Sequence, residues 1–250
     1  MSGSKIEWTG ETWGPVTGCS KTSPGCAHCY AETLLNRFQK STPKFRNGFE
    51  VTLHEDALSE PSKRKKPTLY FVCSMADLFH KDVPDTFIQR VFDVMRDNRR
   101  HTFQVLTKRS DRMLSMTQAG VIEWPPNVWA GVSVENQEMA NKRISDLMVV
   151  EAETRFLSIE PLLSRVDLRD LFIRLGGWPT WGKFIHWVIV GGESGPGARP
   201  MKAEWVVDIQ DQCGKADVRF FFKQWGGVNK KAAGRLLQGR VWDEMPEVAK

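Results

Sequence analysis

Val128-Trp-Ala-Gly-Val-Ser-Val-Glu-Asn136 begins with five residues without a charged or hydroxyl side chain and ends on polar ones, Ser133, Glu135 and Asn136. A strand with one wet face alternates apolar and polar positions. An unbroken apolar run is the pattern of a strand covered on both faces, the usual condition of parallel sheets. The polar end is where such a strand runs out into a loop.

The same pattern recurs along the chain. Leu69-Tyr-Phe-Val-Cys73 is followed by Ser74 and Asp77, Thr102-Phe-Gln-Val-Leu106 by Lys108 and Arg109, and Arg155-Phe-Leu-Ser-Ile159 by Glu160. Ile185-His-Trp-Val-Ile-Val190 leads into Gly191, Gly192, Glu193 and Ser194, and Val218-Arg-Phe-Phe-Phe222 into Lys223, Gln224 and Trp225. Helical stretches lie between these runs, over 30–40, 109–117, 136–150 and 203–213. In another, Asp85 is placed to cap Thr86–Asp97, with Phe87, Val91, Val94 and Met95 on one face. With Thr12–Gly18 as a first strand, about seven strand–helix alternations result, and no Pro-, Gly- or Ser-rich linker divides them. The fold expected is α/β, a single domain over 1–250 built as a complete or partial TIM-type (β/α) barrel with about seven parallel strands. Six polar strand ends in succession are expected to ring one pocket.

Composition bounds the function without naming it. The chain has 250 residues, 41% hydrophobic and 26% charged, with a net charge of +5. This is a globular balance, and no apolar run approaches the roughly 18 residues of a membrane span. The first residues lack the basic and apolar regions of a secretory signal, so a cytoplasmic location is expected. Basic clusters such as Lys63-Arg64-Lys65-Lys66 favour an anionic partner, DNA, RNA or a nucleotide. Ten tryptophans and fourteen phenylalanines are available for base stacking. Trp129, Trp187 and Phe220–Phe222 are nevertheless assigned to the core.

Three of the five cysteines stand close together in Cys19-Ser-Lys-Thr-Ser-Pro-Gly-Cys26-Ala-His-Cys29-Tyr30, a C-x6-C-x2-C pattern. In a cytoplasmic protein such a cluster is metal-binding or catalytic more often than disulfide-bonded. Three thiolates can hold a [4Fe-4S] cluster and leave one iron open. A structural zinc site would need a fourth ligand, from His28, His54, His80 or His101, and commonly uses two separated pairs. Spacing favours the cluster, and zinc stays open. Cys73 and Cys213 lie in apolar contexts suited to inert thiols. The cysteine loop, residues 18–30, follows the first strand and thus belongs on the same rim as the polar strand ends. Gly191–Gly197 has the composition of a backbone nest for an anion, or of a plain tight turn.

These segments together resemble a phage-associated three-cysteine-motif family of unknown function. The resemblance rests on Gly18-Cys19, Ser23–Ala31, Phe71–Phe79, Leu106-Thr-Lys-Arg109, Trp129–Asn136, Ser158-Ile-Glu-Pro-Leu162, Val190–Gly195 and Phe222–Gly226. That family is similar to a divergent branch of the radical S-adenosylmethionine superfamily, nearest to the spore photoproduct lyases. The resemblance implies an iron-sulfur enzyme in which Cys19, Cys26 and Cys29 ligate three irons and S-adenosylmethionine chelates the fourth. It then undergoes reductive cleavage to methionine and a 5′-deoxyadenosyl radical. His28, next to the last cysteine, would lie near the adenine. The common superfamily spacing is C-x3-C-x2-C, from which the six-residue gap after Cys19 departs. Candidate cofactor-binding residues are His28, Tyr30, Ser74, Asp77, Lys108, Ser133, Glu135, Glu160, Gly191, Gly192, Glu193 and Lys223. Phage DNA modification or repair is the implied setting, in the host cytoplasm and with a reductant protein as partner. The alternative is a non-enzymatic module, stabilised by a cluster or by zinc, that binds nucleic acid or a host protein.

Overall fold

The computed structural model describes residue 4 and residues 6–176 and 180–248. Among the described residues nine strands form: β1 Glu11–Trp13, β2 Val16–Thr17, β3 Thr52–Leu53, β4 Leu69–Val72, β5 Thr102–Thr107, β6 Val128–Ser133, β7 Arg155–Ile159, β8 Trp187–Gly191 and β9 Arg219–Gln224. Seven of them make one sheet in the order β1-β4-β5-β6-β7-β8-β9, every pair parallel. Each new strand joins on the same side of the last. The right-handed crossover of successive parallel strands then puts all the connecting helices on one face, and the sheet curls as a partial barrel. The α/β class, the seven parallel strands and the barrel type agree with the sequence reading.

The expected first strand, Thr12–Gly18, is a correction. It breaks at Gly14-Pro15. Proline has no N–H to continue a ladder, so β1 stays in the large sheet while β2 pairs antiparallel with β3. The second correction concerns Asp85. Pro84 is the N-cap of α3 (the helices among the described residues are α1 Tyr30–Phe38, α2 Glu60–Lys63, α3 Asp85–Asp97, α4 Ser110–Gln118, α5 Gln137–Val149, α6 Leu168–Arg174, α7 Ala203–Lys215 and α8 Lys230–Ala233). Asp85 lies inside the first turn, where a carboxylate complements the helix dipole, and it accepts from Arg112 Nη2.

The two faces of the sheet are filled differently. On the outer face the helices press apolar stripes, such as Phe87, Ile88, Val91, Phe92 and Met95 of α3, against strand residues that include Val72, Phe103 and Val105. The inner face is packed with rings: Trp8, Phe71, Trp129, Phe156, Trp187 and Phe221 form a second core with Ile189. Trp8, which precedes β1, sits on Phe71 at 4.6 Å between centroids and edge-on to Trp187 at 6.1 Å. Gly131 makes room for this floor, because a Cβ there would lie 2.4 Å from the Phe156 ring. Removing one such buried ring costs about 3–5 kcal/mol. The free edge of β9 is covered by the C-terminal segment, Phe222 N–H donating to Trp242 O at 2.9 Å. A covered edge cannot recruit strands from other chains.

Candidate functional site

Parallel strands all end on the same rim, and the cysteine loop lies across it. Gly18 donates its N–H to Met75 O at 3.1 Å, and Cys19 donates to Phe49 O at 3.1 Å. Pro24–Cys26 forms a 3-10 turn, and Cys29 is the N-cap of α1. Cys19, Cys26 and Cys29 are free and partly exposed, whereas Cys73 and Cys213 are buried. Burial pushes the Cys73 thiol up to about 12 and raises that of Cys213, so both are inert thiols.

The rim holds this loop at four strand ends, by a carbonyl at one and by side chains at three. After β4, Tyr30 Oη donates to Ser74 O at 2.5 Å. After β5, Arg109 donates through Nη1 to Cys19 Sγ at 3.5 Å and through Nη2 to Ser20 O at 2.9 Å and to Ser20 Oγ at 3.1 Å. Asp77, buried, aims that guanidinium. Its Oδ2 accepts from Arg109 Nη1 at 3.2 Å and Lys108 N–H at 3.0 Å, and its Oδ1 from Thr107 Oγ1 at 2.7 Å and Phe79 N–H at 3.0 Å.

After β6, Glu135 Oε1 accepts the Gly25 N–H at 3.2 Å, while Oε2 accepts from Arg143 Nη1 at 2.8 Å. Arg143 also donates to Ser133 O at 2.8 Å, so it ties the strand end to α5. After β8, Glu193 accepts from His28 Nδ1 at 2.9 Å and from Arg199 Nε and N–H, each at 2.9 Å. Arg199 Nη2 reaches on to Pro24 O at 2.9 Å. Burial alone would raise the Glu193 carboxyl, but the Arg199 guanidinium and amide and the His28 ring overrule it and bring it down to about 2.

Electrostatics at Cys19 is contested in the same way. Burial raises its thiol most, the Asp77 carboxylate adds to that, and Arg109 opposes both. Beside the loop an open cavity of about 510 Å³ is lined by Cys19, Ser20, Phe49, Glu50, Val51, His80 and Asp82. His80 donates or accepts at Ser20 Oγ, 2.7 Å from Nε2; because Nδ1 accepts the Asp82 N–H at 3.2 Å, Nε2 carries the proton and donates.

Two candidates face the mouth without touching the loop. Lys223 Nζ pairs with Glu160 at 2.9 Å, and Ser158 Oγ donates to Glu160 at 3.3 Å. Gly191 lets that carboxylate lie against the strand, since a Cβ there would come 2.4 Å from Glu160 Oε1. The ammonium group of Lys108 has no partner among the described residues. Two amides of the Gly191–Gly197 segment are used inside the protein: Gly192 donates to Gln224 O at 3.0 Å and Gly195 to Gly227 O at 3.1 Å. The segment packs tightly: at Gly192 a Cβ would meet Trp225 O at 2.0 Å.

The ring of polar strand ends thus acts largely as a cradle for the loop rather than as the wall of one pocket. Arg143 escaped the sequence reading, although its signal is present: it interrupts the apolar stripe Ala140, Ile144 and Leu147 of α5. A lone arginine on a buried helical face needs a buried carboxylate.

A protein-family model, that of the protein of unknown function DUF5131, matches residues 3–246. The chain belongs to this family. No curated protein matches the sequence. Among solved structures it is similar to spore photoproduct lyase complexed with dinucleoside spore photoproduct, at 12% identity and a TM-score of 0.51, covering 85% of this chain and 63% of that one. A cysteine-to-alanine mutant of that enzyme with the dinucleoside spore photoproduct matches at 13% identity and a TM-score of 0.50, covering 85% and 63%. The DUF5131 chain spans less than two thirds of the length of these structures, and at such identity the likeness is one of fold. Among the described residues no helix is long and apolar enough to cross a membrane.

Proposed function

We propose that this DUF5131 protein is an iron-sulfur enzyme of the radical S-adenosylmethionine type, acting on a nucleic acid or nucleotide. The observation that carries the reading is the placement of the loop: the loop that carries three free, partly exposed thiols is held across the mouth of a parallel partial barrel by side chains from three strand ends and by the Ser74 carbonyl at a fourth.

The donor set fits a cluster held by three sulfurs. Among the described residues no three Cys, His, Asp or Glu side chains converge on one point, Cys19, Cys26 and Cys29 included, so the three thiols would have to draw together on a cluster. The histidines that a zinc site would recruit each hold a partner through a ring nitrogen: His28 Nδ1 binds Glu193, His54 Nε2 binds Thr17 Oγ1 at 2.8 Å, His80 Nε2 binds Ser20, and His101 Nε2 binds Pro61 O at 3.0 Å. The Nε2 of His28, free among the described residues, keeps zinc as the rival of the cluster. When bound, a cluster at Cys19, Cys26 and Cys29 supplies one electron to the sulfonium of S-adenosylmethionine and so generates the 5′-deoxyadenosyl radical.

The protein's own residues do the rest. Asp77, Arg109, Glu135, Glu193 and Arg199 hold the loop rigid, which fixes where a cofactor can sit. Lys108 offers a free cation for a carboxylate or phosphate. Glu160 and Lys223 offer a paired acceptor and donor on the mouth for an amino or ribose group. The aromatic floor beneath, from Trp8 to Phe221, excludes water from the barrel interior. The nucleic-acid part draws on the net charge of +5 and on the similar fold of a lyase solved with a dinucleoside photoproduct. The phage setting, the host cytoplasm and a reductant partner belong to the same proposal.

Anaerobic reconstitution with iron and sulfide tests the first step: about four irons per chain and a visible cluster absorption are expected. Reductant and S-adenosylmethionine then yield 5′-deoxyadenosine. A chain that takes up zinc instead, and unfolds when any one of the three cysteines becomes alanine, is the non-enzymatic binding module.

A further inference from the structure

The three thiols differ in what stands beside their sulfur. Cys26 Sγ has only the Ser23 hydroxyl, at 3.9 Å, and no hydrogen bond to Cys29 Sγ is found among the described residues. Cys19 Sγ has a guanidinium at 3.5 Å. That guanidinium is not a mobile surface cation: it is 14% exposed and fixed at Asp77 Oδ2 and at both oxygens of Ser20. Asp77 is fixed in turn by Thr107, Lys108 and Phe79. A rigid ion pair thus ends on one sulfur of three.

We propose that Arg109 and Asp77 are positioning residues that set the reduction potential of the cluster through the Arg109 hydrogen bond to Cys19 Sγ, an inference that rests on the iron-sulfur reading above. Reduction adds one negative charge to the cluster. A hydrogen-bond donor and a fixed positive charge at a ligand sulfur stabilise the reduced form and raise the potential, and a nearby carboxylate lowers it. The effect is strong because both groups are nearly out of water, where screening is weak. Arginine suits the position because its planar fork serves Sγ, Asp77 and Ser20 at once, which a lysine cannot do.

The two partners therefore have opposite signs, which a purely structural role does not produce. In an anaerobic titration of the reconstituted full chain with titanium(III) citrate, followed by the electron paramagnetic resonance of the reduced cluster, Arg109→Gln loses the fixed positive charge and the guanidinium fork and leaves Asp77 uncompensated. Its midpoint is expected to fall by about a tenfold change in the reduction equilibrium, about 59 mV for one electron. Arg109→Lys falls less. Asp77→Asn moves the midpoint upward.

Iron and sulfide content is measured in each variant. A loaded Arg109→Gln protein with the wild-type midpoint overturns the proposal, as does an Asp77→Asn midpoint that is unchanged or lower. If Arg109→Gln takes up no cluster, Asp77→Asn decides by the same sign. Loss of the cluster from both variants shows that the pair only builds the loop, and also overturns it. A wild-type chain that assembles no cluster refutes the function reading itself, a different result from a loaded cluster with an indifferent potential.

Discussion

Gly25 in the cysteine loop donates its amide hydrogen to Glu135 at 3.2 Å across 110 residues of sequence, and the other oxygen of that carboxylate holds the buried Arg143. One side chain thus fastens the loop to the sheet and neutralises the only strongly buried cation of α5.

Removing Glu135 strands that cation. Glu135→Ala is expected to cost about 3–5 kcal/mol, the usual price of leaving one member of a buried pair alone. The double variant Glu135→Leu with Arg143→Met is expected to recover most of the loss. Urea unfolding of the three proteins checks both statements, and a double variant as unstable as Glu135→Ala contradicts them.

Acid should loosen the loop through Glu193. Its folded carboxyl titrates at about 2, below an ordinary value of 4.5, so the unfolded chain takes up the proton first as pH falls. The stabilisation is complete above pH about 4.5 and is lost progressively toward pH 2. A shift of this size corresponds to roughly 3 kcal/mol. Glu193→Gln should lack this acid limb in unfolding experiments between pH 6 and pH 2.5. A limb of equal size in the variant argues against the assignment.

Gly18 is required by its backbone. Its φ is +82°, and a Cβ would fall 2.1 Å from Glu50 O, so alanine brings both left-handed strain and a collision with main chain. Gly18→Ala should destabilise by about 2 kcal/mol or more. It should also speed proteolysis within residues 18–30, as limited digestion followed by mass spectrometry would reveal.

Thiol chemistry distinguishes the two classes of cysteine. In the native chain without bound metal, iodoacetamide is expected to label Cys19, Cys26 and Cys29, which are partly exposed, and to spare Cys73 and Cys213, which are buried with raised thiol values. Peptide mapping reads this directly. Labelling of Cys73 before Cys26 would count against the loop's position.

Burial makes the pattern of the strands visible in the residues alone. Val128–Val132 and Trp187–Val190 carry no alternation because helices cover one face and rings the other, so the number and direction of the strands were legible, as was a cysteine loop after the first of them. The break at Pro15 and the start of α3 at Asp85 were less so. A proline's missing donor matters only once a neighbouring strand is present to accept it, and Asp85 is drawn to Arg112.

The sequence by itself determined the order of the seven parallel strands, five of the helices between them and the three thiols, since periodicity and spacing are local properties of the chain; the small β2–β3 pair, α2 and α6 carry no such pattern. Only the tertiary structure decided what the rim side chains serve. Glu135 and Glu193 look from the sequence like pocket walls, yet their partners Gly25 and His28 lie 110 and 165 residues away, and Arg199, which pairs with Glu193, reaches Pro24 across 175. A buried carboxylate binds whichever donor the fold brings to it, and no local pattern records which loop will cross the barrel mouth.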